Sequence, residues 1–232
     1  MNVNETMNRA LTENRTYLTE VESKHLMAEA GMPVVEGKLA RSRQEAEQIS
    51  EQLGFPVALK IISPDIVHKS DAGGVIVNLQ DGTLAGEAYI KMMGSIKEKY
   101  PHADIWGVSV QKMAPPGLEV IIGMSKDVQF GPVIMFGLGG IMVEILKDVS
   151  FRILPLTRRD AKEMVREIKG YPLLEGYRGQ GPFDMDCLID LLLELSGFVK
   201  DHPEIKEIDL NPVFLYPQGA LVVDARIILE AE

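Results

Sequence analysis

The sequence predicts an α+β protein of two lobes, with the cleft between them as the natural seat of a ligand. Three observations lead there. From Val34 to Met113, strand-like and helix-like runs follow in the order strand–helix–strand–strand–helix–strand. Pro115-Pro116-Gly117 then punctuates the chain, and beyond it strand-like runs dominate. At 232 residues the chain can bury one large core or two small ones. The expected division is residues 1–114 and 115–232.

The elements follow from local signals. After a polar start, Thr19-Glu20-Val21-Glu22 reads as a capping box opening a short helix that Gly31 and Pro33 end. Residues 34–40 are strand-like. Ser42-Arg43-Gln44-Glu45 is a second capping box, with Ala46, Ile49 and Leu53 at helical spacing and Gly54 after the last turn. Strands at 57–62 and 75–79 flank a polar loop, Asp81-Gly82 makes a turn, residues 83–99 read as a helix, and 105–113 as a strand. Beyond the Pro-Pro-Gly break, strands are expected at 118–125, 131–136 and 141–147. Helices are expected at 157–168 and 184–200, with a Gly-rich and Tyr-containing loop between them. A closing hairpin, 205–216 and 220–228, turns at Pro217-Gln218-Gly219.

The net charge of −10, with no basic cluster, argues against a general nucleic-acid surface. A single cysteine, Cys187, excludes an intrachain disulfide and fits a reducing compartment. The N-terminal stretch lacks the apolar core of a signal peptide, and no apolar run is long enough to span a bilayer. A soluble, cytoplasmic protein without a membrane partner is expected.

The run Val57 to Ile62 is apolar on both faces except for Lys60. A buried ammonium needs an anionic partner, because desolvating it alone costs several kcal/mol. Lys60 therefore marks a solvated face, a pair with a protein carboxylate, or an anionic ligand. The loop beside it, His68-Lys69-Ser70-Asp71-Ala72-Gly73-Gly74, favours the ligand. Imidazole is substantially neutral at physiological pH, so His68 can attack phosphorus without further activation. The Gly73 and Gly74 N–H groups, with Lys69 and Ser70, could hold a phosphoryl group. His68 lies about five residues from either anchor, so an extended arm reaches about 15–20 Å.

The second half adds pieces of a nucleotide site. Phe136-Gly137-Leu138-Gly139-Gly140 is a glycine turn that permits close backbone approach to a ligand, although no Walker motif occurs. Glu119 and Glu144 sit on otherwise apolar strands, where a solvent-facing position or an ion pair is the simpler account of each. In the closing hairpin, Asp209 and Asn211 are two apart on one strand and share a face, and the turn can bring Asp224 opposite them. Two carboxylates and an amide oxygen are hard ligands suited to a magnesium ion that also holds phosphate oxygens. Turn chemistry is the competing account of Asn211-Pro212.

These residues carry a resemblance. From KHLMAEAGMPVV through ALKIISPDIVHKSDAGGV, QKMAPPGLEVIIG and FGLGGIMVEILKDVSFR to IDLNPV, the chain resembles the ATP-grasp β subunits of ADP-forming acetyl-CoA synthetases (acetate–CoA ligases). It is more distantly similar to the β subunit of succinyl-CoA synthetase. The resemblance implies an ATP-grasp fold of two α+β lobes and an acid–thiol ligase active with a separate, CoA-binding α subunit in a hetero-oligomer such as α2β2. It implies that His68 receives a phosphoryl group that began as acyl phosphate and delivers it to ADP to make ATP. Lys60, catalytic with His68, would hold nucleotide phosphates with Lys69 and Ser70. Gln111, Lys112 and Met113 would meet the adenine, Glu119 the ribose, and Gly139 and Gly140 the nucleotide. Asp209, Asn211 and Asp224 would hold Mg2+. Arg226 stands where the succinyl-CoA relatives place a lysine. Two other readings remain: a single-step ATP-grasp carboxylate ligase, and a non-catalytic nucleotide-sensing module.

Overall fold

A computed structural model of the chain describes residues 2–66, 69–140, 147–177 and 181–230. His68, Glu144, most of the strand expected at 141–147 and residues 178–180 of the Gly-rich loop lie outside the described residues. The chain divides into two compact units. The larger gathers residues up to Leu18, Glu22–Val34 and everything from Pro116 onward; the smaller gathers Thr19–Val21 and Val35–Pro115. The expected division at 1–114 and 115–232 thus differs over the first 34 residues, most of which pack with the second half of the chain.

The polar start forms a helix, α1 (Val3–Thr12). The Asn2 side chain accepts the Glu5 N–H at 2.8 Å while the Glu5 carboxylate accepts the Asn2 N–H at 2.9 Å, a capping box that satisfies two end groups at once. Helix α2 (Glu20–Glu29) follows. Met7 and Ala10 of α1, Leu18, and Leu26 and Met27 of α2 join the core of the larger unit.

The smaller unit runs β1 (Gly37–Ala40), α3 (Arg43–Leu53), β2 (Val57–Ile62), β3 (Val75–Leu79), α4 (Gly82–Lys99) and β4 (Gly107–Lys112). Its antiparallel sheet has the order β1-β4-β2-β3. Ser42 caps α3 as its spacing predicts, and Gly54 takes φ +75° after the last turn. Asp81 caps α4 by accepting the Leu84 N–H at 2.8 Å. Val57, Leu59 and Ile61 of β2, with Val108 and Val110 of β4, join a core with Ala46 of α3 and Ala85, Ala88, Met92 and Ile96 of α4. Strand alternation therefore puts Ala58, Lys60 and Ile62, with Ser109 and Gln111, on the opposite sheet face, and all five are buried.

The larger unit continues with β5 (Leu118–Asp127), β6 (Gly131–Leu138), β7 (Val149–Ile153), α5 (Arg158–Glu167), α6 (Tyr171–Glu175), α7 (Met185–Asp201), β8 (Ile205–Leu215), β9 (Ala220–Val222) and β10 (Ala225–Leu229). Its sheet has the order β10-β8-β5-β6-β7, with β9 beside β8. Val120, Ile122, Ile134 and Phe136 share a core with Met164 of α5 and Leu188, Leu192 and Leu195 of α7. Thr157 and Asp160 form the capping box of α5. Asp184 begins α7 by accepting the Cys187 N–H at 3.0 Å, and it also accepts the Gly219 N–H at 2.8 Å, tying the helix to the closing hairpin. Strand β7 was not anticipated, because its pattern is inverted: Ser150 is buried while Phe151 and Ile153 are 55% and 52% exposed. Among the described residues no helix is long and apolar enough to cross a membrane.

Candidate functional site

In the smaller unit the site grows from Lys60. Its alternation on β2 aims it away from the apolar core, yet it is only 7% exposed. The partner that a buried ammonium requires is Glu20, the first residue of α2, whose Oε1 accepts from Lys60 Nζ at 3.1 Å. The other oxygen of the same carboxylate, Oε2, accepts from Lys69 Nζ at 2.7 Å. The Glu20 side chain is 1% exposed. A negative charge at a helix N-terminus is also favoured by the orientation of the first N–H groups. One carboxylate thus joins β2 to the loop that follows it. Ser109 lies directly across the ladder from Lys60. Its hydroxyl is fully buried and has no hydrogen-bond partner among the described residues, so it is a polar atom on this face suited to a ligand.

The loop glycines act differently from expectation. The Gly74 N–H donates to the Lys69 carbonyl at 2.7 Å and the Gly73 N–H to the Ser70 carbonyl at 3.0 Å. These groups close the turn on itself instead of facing a phosphoryl group. Gly73 takes φ +77°, and a Cβ on Gly74 would lie 2.4 Å from Ile61 Cγ2, so both positions need glycine for the turn alone. Ser70 itself is exposed. Gln111 is buried beside Ala58 and Gly37 on β4, Lys112 is exposed, and the Met113 N–H donates to the Pro56 carbonyl at 3.0 Å.

In the larger unit, the glycine turn sits over Glu119. The Gly139 N–H donates to the Glu119 carbonyl at 2.7 Å. A Cβ on Gly140, which has φ +61°, would lie 2.7 Å from Glu119 Oε2. The close approach that these glycines allow is to Glu119, whose side chain is exposed.

The hairpin is built around a register shift. Val120 pairs with Val213 and Ile122 with Leu210, so Ile121 faces both Asn211 and Pro212, a bulge. Ala225 pairs with Leu210, and the Val223 N–H donates to the Pro212 carbonyl at 3.0 Å. Asp224, between them, therefore lies opposite Asn211, as the hairpin reading anticipated. Asp209 pairs with Arg226 on one side and Gly123 on the other. Its carboxyl is pushed above the usual carboxylate range chiefly by burial, with Glu207 and Asp224 adding to the rise and Arg226 opposing it. Arg226 is itself hydrogen-bonded to Glu207. Lys24 of α2, 3% exposed, donates to the carbonyl of Val223, the residue before Asp224, at 3.3 Å.

The ATP-grasp domain family matches residues 9–229. The β subunit of ADP-forming acetate–CoA ligase I of Pyrococcus furiosus is 50% identical over 225 residues, covering 97% of this chain and 97% of that protein. The chain belongs to the ATP-grasp β subunits of ADP-forming acetate–CoA ligases. Acetyl-coenzyme A synthetase 1 of Ca. Korarchaeum cryptofilum, solved with coenzyme A, Ca-AMPCP and HgCl+, superposes with a TM-score of 0.95 at 46% identity over 99% of this chain and 100% of that one. A second structure of that enzyme, with coenzyme A and Mg-AMPPCP and its phosphohistidine segment pointing towards the nucleotide-binding site, gives a TM-score of 0.87 at 44% identity over 99% of this chain and 100% of that one.

For an acetate–CoA ligase β subunit, a magnesium–nucleotide site is the appropriate test of the hairpin. Among the described residues no three His, Cys, Asp or Glu side chains are grouped to hold a metal. Mg2+ commonly takes only one or two carboxylates and completes its shell with water and substrate phosphates. The opposed Asn211 and Asp224, with Asp209 burdened by neighbouring negative charge, fit that pattern. Glu20, Ser109 and Lys24 escaped the sequence reading. Glu20 sat inside a capping-box motif, which supplied a sufficient local reason for a glutamate.

Proposed function

We propose that this chain is the phosphoryl-transfer subunit of an ADP-forming acyl-CoA synthetase, working with a CoA-binding α subunit in a hetero-oligomer of the α2β2 kind. The partner converts acyl-CoA and phosphate to acyl phosphate and passes the phosphoryl group through its own histidine. A nitrogen of the His68 imidazole then attacks phosphorus, the bond to the donor histidine breaks, and phosphohistidine forms on this chain. A terminal phosphate oxygen of ADP displaces His68 in turn, giving ATP and restoring the neutral imidazole.

The other residues bind and orient. Lys60 neutralises nucleotide phosphate charge, and the Ser109 hydroxyl, across the ladder, contributes a donor beside it. Lys69 and Ser70 flank the arriving phosphoryl group. Gln111, Lys112 and Met113 hold the adenine, and Glu119, under Gly139 and Gly140, the ribose. Asp209, Asn211 and Asp224 are the residues that would hold Mg2+, which when bound neutralises phosphate charge in the transition state. The observation that carries the reading is the buried Lys60, joined through one carboxylate to the residue that follows His68.

The test is a radiolabelled-phosphate assay on the reconstituted two-subunit complex. Acid-labile label is expected on the wild-type β chain, and His68→Ala should lower ATP formation at least a thousandfold. Full ATP synthesis by His68→Ala would reject the relay.

A further inference from the structure

Glu20 has no part in that scheme, although it is buried and holds two lysines at once. Its two oxygens are divided between ammonium groups that lie 40 and 49 residues further along the chain. Stability alone is a weak reason for such an arrangement. Withdrawing a carboxylate and an ammonium from water is costly, and their attraction about offsets that cost. An apolar replacement would fill the same space on the sheet face with little net change. What a shared carboxylate does supply is geometry. Lysine carries a flexible four-carbon stem, and its ammonium is useful in phosphoryl transfer only when held at a defined point.

We propose that Glu20 is a positioning residue for the nucleotide half of the relay: by holding Lys60 on Oε1 and Lys69 on Oε2, it fixes the phosphate-binding lysine and the segment following His68 in one register. The inference rests on the phosphoryl-relay reading above. No bond to Glu20 forms or breaks. The neutral, isosteric glutamine keeps one acceptor oxygen and replaces the other by an NH2 group, which cannot accept from an ammonium. One of the two lysines must then lose its contact. Aspartate keeps both acceptors on a shorter stem.

The experiment separates the two half-reactions of the assembled complex. Phosphorylation of His68 from Mg-ATP reads the nucleotide end, and its phosphorylation from acetyl-CoA and phosphate through the α subunit reads the other. Glu20→Gln is expected to slow the first about tenfold more than the second, with the melting temperature recorded alongside. Glu20→Asp is expected to recover part of the loss. In a Lys69→Met background, Glu20→Gln should retain only the part of its effect that runs through Lys60, so the double variant is expected to be less than additive. A fold defect alone would lower both half-reactions equally and would not be relieved by Lys69→Met.

Equal slowing of the two halves, unchanged rates within twofold, or strict additivity with Lys69→Met would overturn the inference. If Glu20→Gln is recovered unfolded, Lys69→Met alone decides: selective slowing of the nucleotide half supports the inference, and equal or absent slowing overturns it. A wild-type complex that forms no phosphohistidine from either side would instead reject the relay reading itself.

Discussion

Lys60 and Asp209 show two ways of keeping a charge inside a sheet. Lys60 faces a buried carboxylate that it shares with Lys69, whereas Asp209 faces one arginine and two further carboxylates. Burial first, then Glu207 and Asp224, disfavour the ionised form of Asp209, and a bound cation would reverse that preference. Asp209→Asn should therefore raise the melting temperature of the metal-free protein by about 2–4 °C, the shift expected for ~1 kcal/mol in a chain of this size. The same variant should lose most of the further rise that Mg2+ with nucleotide gives the wild type, since ligand stabilisation depends on affinity. A variant whose magnesium-dependent rise is intact would remove Asp209 from the metal set. Lys60 and the Asp209–Asn211 pair were legible in the sequence, because each is a polar break in a short apolar strand. Glu20 was not legible, since nothing local distinguishes a helix-opening glutamate that caps from one that reaches a strand 40 residues away.

At the scale of elements, caps and turns were the most readable features. Ser42 and Thr157 begin their helices where the spacing placed them. Helix α1 was missed because its stability comes from a reciprocal Asn2–Glu5 cap and a buried stripe of only Thr6, Met7 and Ala10. Strand β7 was missed because its apolar residues face outward. Asp184 offers the sharpest test of an element junction. Its carboxyl is held below the usual range chiefly by the Cys187 N–H and then by the Gly219 N–H. Asp184→Ala should cost about 1–2 kcal/mol of stability at pH 7. A carboxyl whose folded pKa is depressed contributes its stability above its unfolded pKa of about 3.9 and loses it as pH falls through the folded value. The gap between wild type and variant should thus be constant above about pH 5 and close progressively in more acid solution. A gap that persists at pH 2 would assign the effect to packing.

The molecule as a whole is interleaved. The larger unit takes both ends of the chain, and the smaller one is a continuous stretch plus Thr19–Val21. The order of the sequence was therefore a good guide to the smaller unit and a poor one to where α1 and α2 belong. This interleaving has a consequence for how the protein is made. During synthesis, the whole of Val35–Pro115 leaves the ribosome before any strand of the larger sheet exists. Helix α1 has no core to join until β5 to β10 arrive, whereas β2, β3 and β4 have all their ladder partners within reach. Contacts that span most of the chain form late, because loop closure must precede them. In pulsed hydrogen exchange during refolding, amides of β2 and β4 should gain protection before those of Met7 and Ala10, and simultaneous protection would argue for a single concerted step. Until that late closure, Met7, Leu26 and Met27 lack the core that buries them and remain open to chaperones.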